Sequence, residues 1–489
     1  MTTAPDRPVA RSAGYLVATV AGMMMPFVTL PIMTRWLTPA DYGVMALGQI
    51  VASLFGGVAS LGAGAGLERS YYRYEGDARA LGRLLHSGLA LVTGCSLALA
   101  LVLFVVRDSL AALLLGDARW GLLLVALSVT SALGVLSTVQ FMHLRNRDRV
   151  RAFMGLTIGG LVLESTVAVV LVVAGGLGVW GLALGGLLGK LVVVAVMWVG
   201  LARELRPGFD AAMMREVLGV GLPLVPRSCV GVISTTVDRL VLGWLGSLGQ
   251  VGIYGMANRI GYSMFALTAA LDQVFIPRMY RLMFQGGTDS AARIGRFVSP
   301  YLCASVVGAS LVTLFTEELL WALVTPAFYG VWPVAAVLAT YYGAMFFGKV
   351  SGIQFIHAKK TWYGTPLSVL RLALQVPLAV ALIGGFGALG AAFSLLISGI
   401  VVDGIAFVLG QRHYRVAYEP RVALALLAVL YVAPAWVLGS AALDAAYGWR
   451  LAGKLAIAAI ALAQGRRWFR PVVEQVVTAF RGERTAVAA

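Results

Sequence analysis

The sequence predicts an all-α polytopic membrane protein of about 14 transmembrane helices, arranged as two parallel six-helix repeats plus two extra C-terminal helices. Three observations predict it. The 489 residues are 60% hydrophobic and only 12% charged, with a mean hydropathy of +0.86, far more apolar than a soluble protein of this length. The chain divides into apolar runs of about 20 residues, the length that crosses a bilayer. The first six runs have counterparts in the next six at a nearly constant offset.

The runs fall at about 13–34, 43–66, 84–106, 121–142, 153–174, 178–201, 216–237, 251–276, 297–316, 331–356, 364–384, 387–410, 421–440 and 449–465. Their even number puts both termini on one side. The connections on that side hold 27 Lys and Arg residues, against five on the other: Arg35, Arg107, Arg119, Arg239 and Arg450. Basic residues accumulate in cytoplasmic loops, so both termini are expected in the cytoplasm. The basic leader MTTAPDRPVARSAG precedes a run too long for a signal-peptide core and without a convincing cleavage site, so it reads as a retained first helix.

The repeat rests on three anchors. An offset of 209 superposes Gly43, Arg69 and Tyr71 on Gly252, Arg278 and Tyr280. The ending Gln140-Phe141-Met142-His143 matches Gln354-Phe355-Ile356-His357 at 214, and Gly175-Gly176-Leu177-Gly178 returns to 209 against Gly384-Gly385-Phe386-Gly387. Six helices is an even number, so the copies share one orientation and are related by an axis along the membrane normal. The expected organisation is an N-lobe over 1–202, a cytoplasmic linker at 203–215 with a short interfacial helix, and a C-lobe over 216–410. Helices 13 and 14 occupy 411–465, and a basic cytoplasmic tail, expected on the inner membrane surface, occupies 466–489.

The charge of +16 is spread in short clusters between apolar runs, which is membrane topology rather than a nucleic-acid patch. Cys95, Cys229 and Cys303 each sit inside an apolar run, so no disulfide framework is expected. His86, His143, His357 and His413 lie one per segment near segment ends, without the spacing of metal ligands. No catalytic residues and no cofactor are expected: GGLLGKL, ending at Leu191, lacks the first glycine and the Ser or Thr of a phosphate-binding loop. Gly62 and Gly66, Gly155 and Gly159, and Gly181 and Gly185 have the spacing of close helix packing.

The informative residues are charges at membrane depth, which normally face a partner or a water-filled cavity. Glu164 lies roughly 16 Å above the cytoplasmic end of segment 5, with Lys190 at a similar height on segment 6. Arg371 and Asp403 sit at matching depths on segments 11 and 12, roughly 10–12 Å from the cytoplasmic end. Each copy is thus expected to hold an acid–base pair in its equivalent hairpin, either fixing helix rotation or coupling an ion. Arg227, near mid-membrane, together with Arg259 and Lys349, and with Arg35 at the outer boundary, form a set of cations suited to a doubly ionised phosphate or diphosphate. Asp272 could offset Lys349 or meet Arg278. Arg35 also reads as an interfacial anchor beside Trp36 and Asp41; it aligns with Trp244, so it lies outside the duplicated framework. Gln49 and Asn258 match at offset 209 and are expected to line the same cavity.

Three stretches, LPIMTRWLTPADYGVMAL at Leu30–Leu47, DRLVLGWLGSLGQVGIYGMANRI at Asp238–Ile260 and VFIPRMYRL at Val274–Leu282, resemble the polysaccharide-biosynthesis flippases. These are the O-antigen and exopolysaccharide transporters of the multidrug/oligosaccharidyl-lipid/polysaccharide exporter superfamily. The resemblance implies two six-helix lobes around a cationic cavity and alternating access in the bacterial inner membrane. It also implies a cargo of undecaprenyl-diphosphate-linked oligosaccharide carried to the periplasmic leaflet, with cavity arginines mapping to Arg35, Arg227 and Arg259. Helices 13 and 14 would form a groove for the lipid tail. Membrane lipids, and glycan polymerase or assembly proteins, are the other expected partners, with the chain itself a monomer and no nucleic acid bound.

A multidrug or cation antiporter of the same superfamily is the nearest alternative, and it would want acidic cavity residues. A membrane-embedded glycan polymerase, ligase or acyltransferase would need a sizeable outer loop, whereas none here exceeds about fifteen residues by these spans. A non-transporting scaffold for glycan assembly is the third. No nucleotide-binding motif is present, so the drive for transport would be an ion gradient, the membrane potential or downstream glycan use.

Overall fold

The structure, a computed structural model, describes residues 21–481 apart from 23, 75, 148, 203, 207, 286–289 and 419. Within the helices, the side chains at 227, 265–275, 277, 285, 290, 347, 420–422 and 467–481 also lie outside the described residues. All regular structure among the described residues is helical. Ten of these helices are long and apolar enough to cross a membrane, and the chain is a multi-pass membrane protein. It divides into two compact units, Met1–Gly252 and Ile253–Ala489.

The first unit holds α1 (Met24–Met33), α2 (Pro39–Ala59), α3 (Ala63–Arg73), α4 (Ala78–Leu115), α5 (Gly121–Asn146), α6 (Val150–Val173), α7 (Val179–Leu201), α8 (Ala211–Gly221) and α9 (Leu224–Leu245). α10 (Leu248–Gln285) carries the division between the units. The second unit continues with α11 (Ser290–Leu314), α12 (Thr316–Leu323), α13 (Val331–Ala344), α14 (Phe346–His357), α15 (Gly364–His413), α16 (Pro420–Ala442) and α17 (Tyr447–Arg481). The fourteen predicted segments fall on helical stretches where their residues are described, but 43–66, 216–237 and 331–356 are each divided between two helices.

Local chemistry explains the boundaries. Thr38 starts α2 with a reciprocal capping box, its hydroxyl accepting from Asp41 N–H while the Asp41 carboxylate accepts from Thr38 N–H, and Pro39 fills the first turn. Asp77 caps α4 with its side chain, and the N–H groups of Ala80 and Arg79 hold its carboxyl below the usual carboxylate range. The break after α2 falls at Leu61 and Gly62, both at positive φ. Where the sequence predicts one helix over 216–237, the chain makes two, α8 and α9. Pro223, which lacks an N–H, stands at the start of α9. The spanning helix is therefore displaced toward Leu245, and Arg227 falls in its first turn rather than near mid-membrane.

α15 is a helical hairpin. Gly387 sits at φ 54°, ψ −130°, and Gly178, its counterpart at offset 209, has φ 51°, ψ −128° before α7. Only glycine visits that region freely, so the sequence anchor is a shared backbone conformation. On the next turns Gly181 and Gly390 let the returning helix touch the backbone of the outgoing one. Gly185 and Gly189 continue this seam against Ala168 and Glu164, whereas Gly155 and Gly159 have no neighbour within 4 Å of an added Cβ among the described residues.

A second pair of matched glycines meets directly. A Cβ on Gly43 would collide with the Leu248 carbonyl, and one on Gly252 with the Pro39 carbonyl. Pro39 and Leu248 are themselves 209 apart, so the starts of α2 and α10 touch reciprocally, residue for equivalent residue.

In the first unit α5 packs on α2, α4 and α7, and α8 crosses α3 where Gly62 meets Gly221 and Gly66 meets Val217. Leu67, Leu84, Leu89 and Val217 form the buried centre of that cluster. α8, capped by Asp210, begins within the stretch 203–215 expected as the linker and runs on to Gly221. The histidine anchor closes the same end: Tyr71 Oη and His143 Nδ1 are 3.3 Å apart, and His143 Nε2 is 2.9 Å from Glu204. In the second unit α11 is the central helix, packed by α13, α16 and α17 through Tyr301, Val298 and Val306. There His357 lies between Phe284 and Tyr414.

Candidate functional site

The second unit gathers its polar residues into one connected chain. The turn at Gly387 folds α15 back on itself, so Arg371 and Asp403, 32 residues apart, meet at 2.7 Å. A straight helix would separate them by about 48 Å. The other Arg371 nitrogen, Nη1, donates to Tyr341 Oη of α13 at 2.6 Å. Gly399 makes room for the Tyr341 ring, and Gly348, beside Lys349 on α14, makes room for the Asp403 carboxylate. Tyr342, the next residue on α13, donates to Asn258 Oδ1 of α10 at 2.8 Å. Its ring stands at 86° to that of Tyr262, with centroids 5.6 Å apart.

The side chains of Arg371 and Asp403 are 20% and 15% exposed. Removing one partner strands the other charge, at a cost of about 3–5 kcal/mol, whereas replacing both with apolar groups of like volume is often neutral. Asp403→Asn is expected to lower thermal stability in detergent clearly, and Asp403→Leu with Arg371→Met is expected to recover most of it. Equal stability for Asp403→Asn and the unaltered chain would show the pair to be incidental.

The pair in the first unit is looser. Lys190 Nζ is 3.9 Å from Glu164, and the two side chains are 38% and 36% exposed. The structure therefore brings both predicted pairs together, one as a braced hydrogen-bonded contact and one as a loose ion pair.

Arg35 is exposed in the turn between α1 and α2. Asp41, expected beside it, is instead bound by both the N–H and the hydroxyl of Thr38. Gln49 is exposed on α2, Arg259 exposed on α10 and Lys349 half-buried on α14. The side chains of Arg227 and Asp272 lie outside the described residues.

One buried charge cluster goes beyond what the sequence predicts. Lys454 on α17 is 0% exposed, its Nζ 2.7 Å from both Glu317 and Glu318 of α12, and Arg450 is 2.5 Å from Glu317. Tyr447 donates to Glu318 at 3.1 Å, and the Arg450 guanidinium lies over the Trp332 ring. A signal for it exists: two basic residues at i, i+4 on one helix face and two adjacent acids at the same predicted membrane side. Tyr341 and Tyr342 carry no such signal, since their partners lie on other helices at no regular spacing. Among the described residues no group of His, Cys, Asp and Glu could hold a metal ion.

The family described as "Polysaccharide biosynthesis protein" matches residues 32–288. No curated protein sequence matches the chain. Among solved structures, the lipid II flippase MurJ in an inward closed conformation is similar over 95% of this chain and 100% of its own, at 13% identity and a TM-score of 0.70. An inward-facing multidrug resistance MATE family transporter of the MOP superfamily is similar over 81% and 97%, at 16% identity and a TM-score of 0.62. A MOP superfamily transporter from Pyrococcus furiosus is similar over 83% and 95%, at 17% identity and a TM-score of 0.52. At these identities the likeness is one of fold.

Proposed function

The chain belongs to the polysaccharide biosynthesis protein family, and from that premise we propose that it is a flippase. It moves a lipid-diphosphate-linked oligosaccharide from the cytoplasmic to the periplasmic or outer leaflet by alternating access. The observation that carries the reading is the polar face of α10. It presents half-buried Asn258 and exposed Arg259 and Tyr262 on the run 251–276 expected from sequence to span the membrane, where hydrocarbon would penalise each of them and a hydrated cavity would not. The fold shared with a lipid II flippase supports the same reading.

In this mechanism no bond is made or broken. Arg35, Arg227, Arg259 and Lys349 attract the diphosphate, the sugars occupy hydrated space and the prenyl chain stays in lipid, which removes the cost of taking sugar hydroxyls through hydrocarbon. Rocking of one repeat against the other then changes the accessible side. The chain acts as a monomer in the inner membrane, both termini cytoplasmic, and passes its cargo to glycan-assembly proteins. Deleting it is expected to make lipid-linked oligosaccharide accumulate on the cytoplasmic leaflet, read by susceptibility to glycosidase in inverted and right-side-out vesicles. Accumulation of unpolymerised glycan on the outer face would overturn the flippase reading in favour of a polymerase or ligase.

A further inference from the structure

Exposed side chains on membrane helices face either lipid or water, and composition separates the two. On α6 and α7 the exposed large residues are Val162, Val170, Leu188, Leu191, Val192, Val196 and Val199, as lipid demands. On α10 the accessible stripe runs through half-buried Asn258 and exposed Arg259 and Tyr262, while Met256, Ala257, Ile260 and Met264 are buried on the other side. Tyr262 is 42% exposed and lies fourteen residues, about 21 Å, along α10 from Leu248. Tyrosines of the membrane interface sit near helix ends, so this depth requires another explanation.

The two tyrosine rings make a right-angled corner, Tyr262 against Tyr342 at 86°. Beside it, Asn258 is held by the Tyr342 hydroxyl through its carbonyl oxygen, which leaves the amide N–H groups as the donors this bond does not use. The corner is braced from behind, with the Tyr341 hydroxyl fixed by Arg371 and Arg371 fixed by Asp403. A rigid aromatic face with an adjacent oriented amide has the chemistry of a carbohydrate subsite. The ring stacks on the apolar C–H face of a pyranose, and the amide and phenol hydrogen-bond its hydroxyls.

We infer that Tyr262, Tyr342 and Asn258 form a sugar-stacking subsite for the oligosaccharide of the lipid-linked substrate. Arg371 and Asp403 are positioning residues for it. The inference rests on the proposal that the chain moves a lipid-linked glycan, and it goes beyond that proposal in separating recognition of the sugar from recognition of the diphosphate.

The test is native mass spectrometry on the full chain in detergent with two probes. One is synthetic undecaprenyl diphosphate without sugar; the other is the lipid-linked oligosaccharide pool extracted from a strain lacking the chain. Tyr262→Ala is expected to weaken binding of the glycan-bearing lipid about tenfold and to leave the sugarless lipid unchanged. Tyr262→Phe, which keeps the ring, is expected to retain most of the binding. Equal weakening for both probes, or unchanged binding of the glycan-bearing lipid by Tyr262→Ala, overturns the subsite while leaving the flippase reading in place. Binding of neither probe by the unaltered chain overturns the flippase reading and the subsite with it.

Discussion

Glu317→Ala is expected to lower the stability of the chain by about 3–5 kcal/mol, the cost of breaking a buried ion pair from one side. Glu317 is almost fully buried and engages both Arg450 and Lys454, and Lys454 is wholly buried. Removing the carboxylate leaves two cations with only Glu318 between them. Lys454→Met should cost less, because Glu317 keeps Arg450 and a flexible apolar chain replaces the lysine stem. The double substitution Glu317→Ala, Lys454→Met should be more stable than Glu317→Ala alone, since the stranded buried ammonium is gone. Thermal unfolding of the detergent-solubilised protein reads this order. A double variant as unstable as Glu317→Ala would mean that the buried lysine is not what the carboxylate compensates.

The second large effect is expected at the reciprocal contact between the starts of α2 and α10. Even alanine at Gly43 or Gly252 places a methyl group against a backbone carbonyl, which no side-chain rotation can relieve. Helices in membranes depend on such close approach because lipid supplies no hydrophobic drive to hold them together. Overpacking of this kind costs about 1–3 kcal/mol per site. Because the contact is reciprocal, Gly43→Ala and Gly252→Ala should have similar effects, and the double variant should lose less than the sum, since the first displacement already opens the second site. Gly94→Ala, with nothing among the described residues within 4 Å of its added carbon, is the control and should be near neutral. Unfolding midpoints and surface expression together check the series. Unequal effects at Gly43 and Gly252 would show that the contact is not symmetric.

How much of this is legible in the sequence depends on whether the cause is local. The hairpin glycines are readable because Gly178 and Gly387 occupy a backbone region that only glycine tolerates, so function as turns and identity as glycine coincide. The depth arithmetic for Arg371 and Asp403 succeeds because a tight hairpin equates sequence distance from the turn with height in the membrane. The same arithmetic misplaces Arg227, since an apolar run hides the end of α8 and the restart at Pro223. Asp41, near Arg35 in the chain, is claimed by the capping preference of Thr38. The cluster at Lys454 leaves a signal in the i, i+4 spacing of Arg450 and Lys454, but its burial and its partners on α12 are set by packing. The tyrosine corner depends wholly on packing between α10 and α13, which no periodicity encodes.

The proposal of lipid-linked oligosaccharide transport is tested most directly by transbilayer movement in reconstituted vesicles. The purified chain would be placed in liposomes with glycan-bearing undecaprenyl diphosphate extracted from a strain lacking it. The lipid's accessibility to an impermeant glycosidase would then be followed with time. The account predicts protein-dependent movement of the glycan-bearing lipid without nucleotide, and its loss in Arg371→Ala vesicles that retain folded protein. No movement by folded, unaltered protein, under an imposed ion gradient or membrane potential of either sign, would contradict it.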